Sequence, residues 1–245
     1  VMVNRLSASA SEIFSGAVQD YGRGIIVGER SFGKGTVQTL IPLSSGQLKI
    51  TESKFYRISG ASTQNRGVVP DVAFPSVYNP EDIGESALDY ALEWDQISPV
   101  RHRVYGDFSE VVPYINSRSL ERRKINPDFI SLKERVIFSN QNRANTEVSL
   151  NEVDRKTRRL DREARALEIE NNRRRQKGLE KIDNINQLDQ NEDTENSLDD
   201  DAGVDFFLQE AGNILADLIH FSSNKMEKST SSELALKNGP TAQKP

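Results

Sequence analysis

The pattern of apolar and polar positions predicts a mixed α/β region at the start of the chain. Residues 1–5 and 24–29 are short apolar runs typical of buried strands. Residues 9–22 between them have the spacing of an amphipathic helix. Its apolar face comprises Ile13, Phe14, Ala17, Val18 and Tyr21. Residues 35–43 and 46–57 alternate around a Ser-Ser-Gly turn, which predicts a β-hairpin. Strand, helix, strand and hairpin in this order indicate an α/β core.

The rest of the chain is predicted to be mostly helical. From residue 79, in the segment "NPEDIGESALDYALEWDQI" (79–97), the composition turns helical. A long charged helix is expected near 148–178, followed by an acidic, asparagine-rich linker at 183–202. The apolar positions of 204–221 predict a further helix that packs against the protein.

These patterns divide the 245 residues into three parts. Residues 1–95 are expected to belong to a globular core, 96–222 to a helical domain that includes the acidic linker, and 223–245 to a disordered tail. The chain opens directly into an apolar strand and shows no signal peptide. We therefore expect it to be the C-terminal piece of a longer protein, in which case the missing signal says nothing about location.

Composition and charge argue against several classes of function. The net charge of -5 gives no basis for nucleic acid as a partner, and the basic run Arg173-Arg174-Arg175 fits one solvated helix face. Because the chain has no cysteine and only 2 histidines, we expect no disulfide, no thiolate metal site and no histidine-rich metal site. No apolar run approaches the roughly 18 residues that a membrane span requires, so stable membrane insertion is not expected.

The sequence Gly-Glu-Arg-Ser-Phe-Gly-Lys-Gly-Thr (28–36) departs by one residue from a phosphate-binding P-loop. Gly28, Gly33 and Lys34 match the pattern G-x-x-x-x-G-K-[ST], but Gly35 stands where a Ser or Thr would bind Mg²⁺. A P-loop also needs a helix whose N-terminus receives the phosphate. The residues that follow are rich in β-branched side chains, include a proline and lack helical periodicity. A nucleotide-binding site is therefore not favoured.

A second segment, Arg-Leu-Ser-Ala-Ser-Ala-Ser-Glu (5–12), places three serines where a strand leads into a helix. There a serine oxygen is exposed, and the free N–H groups of the first helical turn can hold an oxyanion. A serine nucleophile needs a base, and a neutral lysine can serve as one. Lys34, which lies between two glycines and beside Phe32, is a candidate for that base, because both histidines are far along the chain.

Each of the two segments also has a purely structural interpretation. Ser9 and Glu12 match S-x-x-E, a capping box in which Ser9 would only begin the helix. A lysine in a glycine-rich turn is most often exposed to solvent and has no catalytic role. Taken alone, neither segment decides between these interpretations.

Taken together, Ser-Ala-Ser-Ala-Ser-Glu-Ile-Phe (7–14) and Phe-Gly-Lys-Gly-Thr-Val-Gln (32–38) resemble the C-terminal processing peptidases, most closely their bacterial tail-specific type. Residues 53–71 resemble the sequence that follows the active site in these enzymes, and a weaker resemblance continues to about residue 220. The resemblance implies an α/β (α+β) protease core of the ClpP/crotonase type, with a mixed sheet and a helix that bears the nucleophile at its N-terminus. A mostly helical C-terminal domain follows this core in the larger members.

The resemblance also implies a role for each residue of the site. Ser9, the middle serine of its motif, would be the nucleophile, and Lys34, which follows 25 residues later, would be its general base. Gln38 would orient the lysine amine from the same strand face, and the N–H of Ala10 would donate to the oxyanion. The implied enzyme is a serine endopeptidase with a Ser–Lys dyad and no metal or cofactor, whose rate should rise with pH.

The implied substrates are proteins with apolar C-termini, which such peptidases bind through a PDZ domain whose carboxylate-binding loop is absent from this sequence. An adaptor lipoprotein is the further partner that the resemblance suggests, and the bacterial periplasm is the implied location. Without the tail-binding domain, one oxyanion donor and part of the sheet, the fragment alone should have little or no activity. The alternative function is a non-catalytic helical interaction module or a degenerate protease fragment.

Overall fold

The protein contains a small parallel sheet and a separate β-hairpin. The computed structural model describes residues 1–185 and 205–237. The strands are β1 (Met2–Val3), β2 (Val27–Gly28), β3 (Thr36–Pro42), β4 (Gln47–Lys54) and β5 (Val72–Ala73). Strands β1, β2 and β5 form a three-stranded parallel sheet in that order, whereas β3 and β4 pair antiparallel.

Five α-helices lie within residues 1–185 and 205–237. They are α1 (Ala10–Asp20), α2 (Val111–Ile125), α3 (Pro127–Ala144), α4 (Glu152–Lys177) and α5 (Phe206–Lys237). Asn126 and Asn151 cap α3 and α4, since each side-chain oxygen accepts from the backbone N–H groups two and three residues later. Within these ranges no helix is long and apolar enough to cross a lipid bilayer.

Both faces of the parallel sheet are covered. Successive side chains of a strand point to opposite faces, and buried apolar side chains lie on each of them. On one face Val3, Ile26 and Val68 form a small buried cluster with Val18 of α1. On the other face the sheet shares one larger core with α2, α3 and α5. That core comprises Ile25, Val27, Val72, Phe74, Val111, Ile115, Phe129, Leu132 and Ile214. The helical part of the chain therefore packs directly on the sheet, opposite α1.

Charged side chains with little exposure hold α2 against α5. Arg122 donates to Glu210 (Nη2–Oε1 2.8 Å) and to Asp217 (Nη1–Oδ2 2.7 Å), and both carboxylates are buried. The hydrogen bonds to Glu210 outweigh the desolvation of Arg122 and raise the pKa of its guanidinium above the ordinary value. Because a buried carboxylate without a partner is costly, these contacts fix which side of α5 faces α2.

Helix α1 buries only part of the apolar face that its periodicity predicts, since Val18 packs on the sheet whereas two other members of that face are exposed. Ile13 and Phe14 are 51% and 60% exposed, whereas Glu12 and Gly16 are buried. Arg57 lies across the helix at Gly16, where an added Cβ would come within 3.3 Å of the arginine Nε. The predicted inward position of Ile13 and Phe14 is therefore wrong, because the polar contacts of Glu12 determine the rotation of the helix.

Residues 79–97, where the composition indicated helix, contain only the short 3-10 turn Glu85–Ala87. Their backbone groups pair with another segment instead. Gln96 forms a bridge with Ala61, and the carbonyl of Asp95 accepts from the N–H of Ser62 (3.1 Å). The helical prediction is wrong for this segment, since groups that make these contacts cannot complete a helical hydrogen-bond pattern.

Two elements agree with the sequence pattern. The charged helix expected near 148–178 is confirmed as α4. The hairpin is confirmed as β3 and β4, with its turn at Gly46, although in the described residues it forms a sheet of its own. Most of its side chains are exposed, so it projects from the body of the protein.

The last helix extends further than its apolar pattern indicates. The helix expected over 204–221 begins at Phe206 and continues to Lys237, into the range expected to be a disordered tail. Residues 238–245 of that tail lie outside the described residues, and so does the acidic linker beyond residue 185.

Candidate active site

Ser9 lies in the turn that joins β1 to α1, and its backbone is strained. It is the N-cap of α1, with φ 55° and ψ −112°. N-cap residues ordinarily have dihedrals of the β region, and a positive φ at a non-glycine residue costs free energy that the surroundings must offset. A strained strand-to-helix turn of this kind exposes the serine oxygen in a nucleophile elbow. The conformation of Ser9 therefore favours a functional role.

The carboxylate of Glu12 joins this turn to the glycine-rich segment. Its Oε2 accepts from the N–H of Ser9 and from the N–H of Lys34, each at 2.8 Å. Its Oε1 accepts from the N–H of Gly33 (2.6 Å) and from the hydroxyl of Ser31 (2.5 Å). Both N–H groups donate to the same oxygen. The distance between the backbone nitrogens of Ser9 and Lys34 is therefore at most the sum of the two 2.8 Å distances from these nitrogens to Oε2. Glu12, which is 0% exposed, thus brings the two segments together.

One half of the capping box predicted from S-x-x-E is present: the carboxylate of Glu12 accepts from the N–H of Ser9 (2.8 Å). The N–H of Glu12 donates to the carbonyl of Ser9, and the hydroxyl of Ser9 makes no capping hydrogen bond. The oxygen of Glu12 that accepts from the N–H of Ser9 is also the oxygen that accepts from the N–H of Lys34. The cap and the link to Lys34 are therefore parts of one arrangement. The structural and the catalytic interpretations of Ser9 are compatible, because the cap uses the backbone of Ser9 in the same turn that carries its hydroxyl.

Ala10 is the first residue of α1, and its N–H donates to no acceptor among residues 1–185 and 205–237. The next N–H groups are occupied, that of Ser11 by the carbonyl of Ala8 and that of Glu12 by the carbonyl of Ser9. An N–H at the N-terminus of a helix, next to a serine hydroxyl, has the position and the partial positive charge to hold an oxyanion.

The side chains of Lys34 and Gln38 are partly buried and make no hydrogen bond or ion pair within the described part of the chain. Gln38 lies on β3, where buried Thr36, exposed Val37 and partly buried Gln38 alternate as a strand requires. The ladder with β4 has a register shift between Val37 and Gln38, and Lys34 precedes β3, so the predicted common strand face of Lys34, Thr36 and Gln38 stays a prediction. The structure brings the backbones of Ser9 and Lys34 together, but it shows no hydrogen bond between Gln38 and the amine of Lys34.

The glycines of the P-loop-like sequence serve close backbone packing. A Cβ at Gly28 would lie 2.0 Å from the carbonyl oxygen of Val3, and a Cβ at Gly35 would lie 2.7 Å from the backbone nitrogen of Gln64. Gly33 has a φ of 95°, which side chains rarely adopt. Strand β3 follows where a P-loop would have a helix, so no helix N-terminus is available to a phosphate at this position.

Residues 60–66, called the receiving turn below, hold the two glycines that flank Lys34. Gln64 is completely buried, and its Oε1 accepts from the N–H of Gly35 (2.9 Å) while its Nε2 donates to Glu85 (3.1 Å). The N–H of Asn65 donates to the carbonyl of Gly33 (2.8 Å). Lys34 is therefore fixed on both sides through its neighbours, and its side chain keeps its own freedom.

Arg5 is buried beneath the same site and is 2% exposed. Its guanidinium donates to the carbonyls of Ser31 (2.7 Å), Pro80 (3.3 Å) and Ile83 (2.5 Å). Burial lowers the pKa of this guanidinium from its usual value, and the positive charge of Arg30 acts in the same direction. The side chain ties the segment around residues 80–83 to the start of the glycine-rich segment.

Arg5, Gln64 and the connecting role of Glu12 were missed by the sequence-based prediction. The S-x-x-E motif does single out Glu12, but only as a cap. The side chain of Arg5 bonds to partners that lie 26 to 78 residues away along the chain. The side chain of Gln64 bonds to partners 21 to 29 residues away. Nothing in their local sequence indicates such partners.

Two family models match consecutive parts of the chain. Residues 1–74 match peptidase family S41, and residues 78–220 match the C-terminal domain of tail specific protease (DUF3340). The first model contains the segments that carry Ser9 and Lys34, and the second contains helices α2 to α4 and the start of α5.

Curated relatives carry names of the same kind. The chain is 38% identical over 237 residues to the tail-specific protease of Haemophilus influenzae. This alignment covers 92% of this chain and 33% of that protein. It is 47% identical over 95 residues to the carboxy-terminal-processing protease of Bartonella bacilliformis, covering 36% of this chain and 22% of that protein. The solved structure of a photosystem II D1 C-terminal processing protease matches with 44% identity and a TM-score of 0.29, covering 33% of this chain and 20% of the other. The chain thus spans a third or less of the length of these proteins.

Proposed function

The chain belongs to the tail-specific proteases of peptidase family S41, and from this premise we propose that it supplies the Ser9–Lys34 dyad of a serine endopeptidase. The observation that supports the dyad is the shared carboxylate of Glu12, which accepts from the N–H groups of both residues at 2.8 Å. The strained φ of Ser9 supports the same assignment, because strain of this kind is concentrated at functional sites.

In the proposed mechanism Lys34 acts first as a base and then as an acid. Its neutral amine takes the proton of the Ser9 hydroxyl as Oγ attacks the scissile carbonyl, and the N–H of Ala10 stabilises the oxyanion. Lys34 then gives the proton to the leaving amine, and a water molecule activated by the same lysine hydrolyses the acyl-enzyme. Gln38 is the proposed orienting group for the amine. The mechanism uses these side chains and backbone groups and requires no metal or cofactor.

We propose further that this chain forms one part of a larger enzyme. Residues 1–95 would complete a mixed sheet of the ClpP/crotonase type, and residues 96–222 would form the helical extension around it. The names of the relatives, tail-specific and carboxy-terminal-processing, support substrates that are processed at their C-terminal tails. The proposed substrates are proteins whose C-termini are apolar. The proposed location is the bacterial periplasm, where an adaptor lipoprotein would be a partner. Alone, the chain would have little activity.

The choice of substrate can be tested with an unstructured reporter protein and the full-length natural protein that contains this sequence. We expect a reporter that ends in apolar residues to be degraded faster, by about tenfold or more, than the same reporter ending in two aspartates. The reason is that an added strand presents alternate side chains and a terminal carboxylate to fixed pockets. The initial rate of loss of each reporter is the measurement. Equal rates for the two reporters would contradict tail recognition, and no cleavage of either would contradict protease activity.

A further inference from the structure

Residues 92–97, called the strap below, lie against the receiving turn (60–66) and hold it at three places. The indole Nε1 of Trp94 donates to the carbonyl of Ser62 (2.9 Å), and the carbonyl of Asp95 accepts from the N–H of the same serine (3.1 Å). The side chain of Asn65 donates to the carbonyl of Leu92 (3.1 Å). The guanidinium of Arg66 covers the indole ring at 3.4 Å from its centre. The strap thus restrains both ends of the 62–66 segment.

The strap is itself anchored at the end of β4, the second strand of the hairpin. The carboxylate of Asp95 accepts from Lys54 (3.0 Å) and from the hydroxyl of Tyr56 (3.0 Å). Lys54 also donates to the carbonyl of Glu93 (2.6 Å). Because Lys54 pairs with Thr36 in the ladder of β3 and β4, the strap and Lys34 are attached to the same end of the hairpin.

The same receiving turn contacts both neighbours of Lys34. Gln64 accepts from the N–H of Gly35, and Asn65 donates to the carbonyl of Gly33. The Oγ of Ser62 accepts from the N–H of Gln64 (3.0 Å), so the residue held by the strap is bonded to the residue that holds Gly35. A continuous set of hydrogen bonds therefore leads from Trp94, through Ser62 and Gln64, to the peptide next to Lys34.

We propose that the strap, and Trp94 in particular, positions the Lys34 amine against Ser9 by fixing the receiving turn. This inference rests on the proposed Ser9–Lys34 dyad. The strap lies in the part of the chain that matches the C-terminal domain of tail specific protease, at residues 78–220, whereas both members of the dyad lie in residues 1–74. A segment that matches the model of the C-terminal domain would thus have a direct part in setting the geometry of the peptidase site, although Trp94 itself lies within residues 1–95.

The test is the change Trp94→Phe in the full-length protein, which keeps an aromatic ring beneath Arg66 and removes the hydrogen bond to Ser62. We expect kcat to fall by about tenfold with KM unchanged, since small displacements of reacting groups cost this much or more. The pH profile of kcat should also shift, because the surroundings of the lysine amine change. The matched control is Asp89→Asn, because Asp89 is exposed, lies outside the strap and has a side chain that makes no hydrogen bond or ion pair in the described part of the chain. Its kinetics should be those of the unaltered enzyme.

A merely structural role for Trp94 would lower the melting temperature and leave kcat and its pH profile unchanged at temperatures well below melting. That result would overturn the proposal, and so would a rise in KM with kcat unchanged.

If Trp94→Phe does not fold, Asn65→Gly provides the same test, because glycine accepts the φ of 61° at this position and removes the contact with Leu92. Variants Ser9→Ala and Lys34→Ala are assayed alongside. If both remain active, the dyad is wrong; if both are inactive while Trp94→Phe and Asn65→Gly behave like the unaltered enzyme, only the role of the strap is wrong.

Discussion

Replacing Lys34 with alanine in the full-length protein is expected to lower kcat by about four to six orders of magnitude, as the loss of a dyad member does in serine proteases. In the proposed mechanism the change removes the group that takes the proton of Ser9 and returns it to the leaving amine. The fold should be retained, because the side chain of Lys34 makes no hydrogen bond or ion pair in the described part of the chain. The measurement combines the rate of reporter cleavage with the melting temperature.

Lys34→Arg separates the role of base from that of a positive charge. A guanidinium stays protonated in proteins and cannot accept the serine proton, so this variant should be as inactive as Lys34→Ala. The matched control is Lys49→Ala, which removes an exposed lysine on β4 and should leave the rate unchanged. Substantial cleavage by Lys34→Arg would show that the amine is not the base.

The change Glu12→Gln is expected to destabilise the protein by about 2–4 kcal/mol and to remove most of its activity. Each carboxylate oxygen accepts two hydrogen bonds, one from Ser31 and one from Gly33 at Oε1, and one from Ser9 and one from Lys34 at Oε2. A glutamine has an NH₂ group in place of one oxygen, and this group faces two donors without being able to accept from either. The side chain is completely buried, so water cannot replace the lost bonds.

Urea unfolding of the unaltered protein and of Glu12→Gln provides the free energy, and reporter cleavage provides the rate. The matched control is Glu163→Gln on α4, where the side chain is 52% exposed beside Arg159. A surface change of this kind should alter the free energy of unfolding by about 0.5 kcal/mol or less. If Glu12→Gln is as stable and as active as the control, the carboxylate does not hold Ser9 and Lys34 together in the way that the structure indicates.

The elements that could be predicted from the sequence are those whose signal is local. The alternating residues on either side of Gly46 predicted the hairpin, and the charged run after residue 150 predicted α4. The two motifs that contain Ser9 and Lys34 are each continuous in sequence, so both residues could be proposed without a structure. Their proximity in space required the structure, because Glu12 makes the connection across 22 residues.

Predictions failed where distant contacts decide the local structure. The apolar periodicity of α1 placed Ile13 and Phe14 inward, but the four hydrogen bonds of Glu12 turn that side of the helix to the protein. The composition of residues 79–97 indicated helix, but the segment pairs with residues 60–66 and forms the strap. In both cases the deciding partner lies in another part of the chain, and tertiary contacts override local preference.

The identity of the nucleophile is tested most directly by comparing the three serines of the motif in one assay. The full-length protein and its Ser7→Ala, Ser9→Ala and Ser11→Ala variants are each incubated with the reporter that ends in apolar residues. The hydroxyl of Ser7 bonds to Asn4, and Ser11 is exposed on the first turn of α1, so neither is placed to replace Ser9. The expected result is that Ser9→Ala is folded and inactive while the other two variants cleave the reporter. Cleavage by Ser9→Ala at the rate of the unaltered enzyme, or a loss confined to Ser7→Ala or Ser11→Ala, would contradict the assignment of Ser9 as the nucleophile.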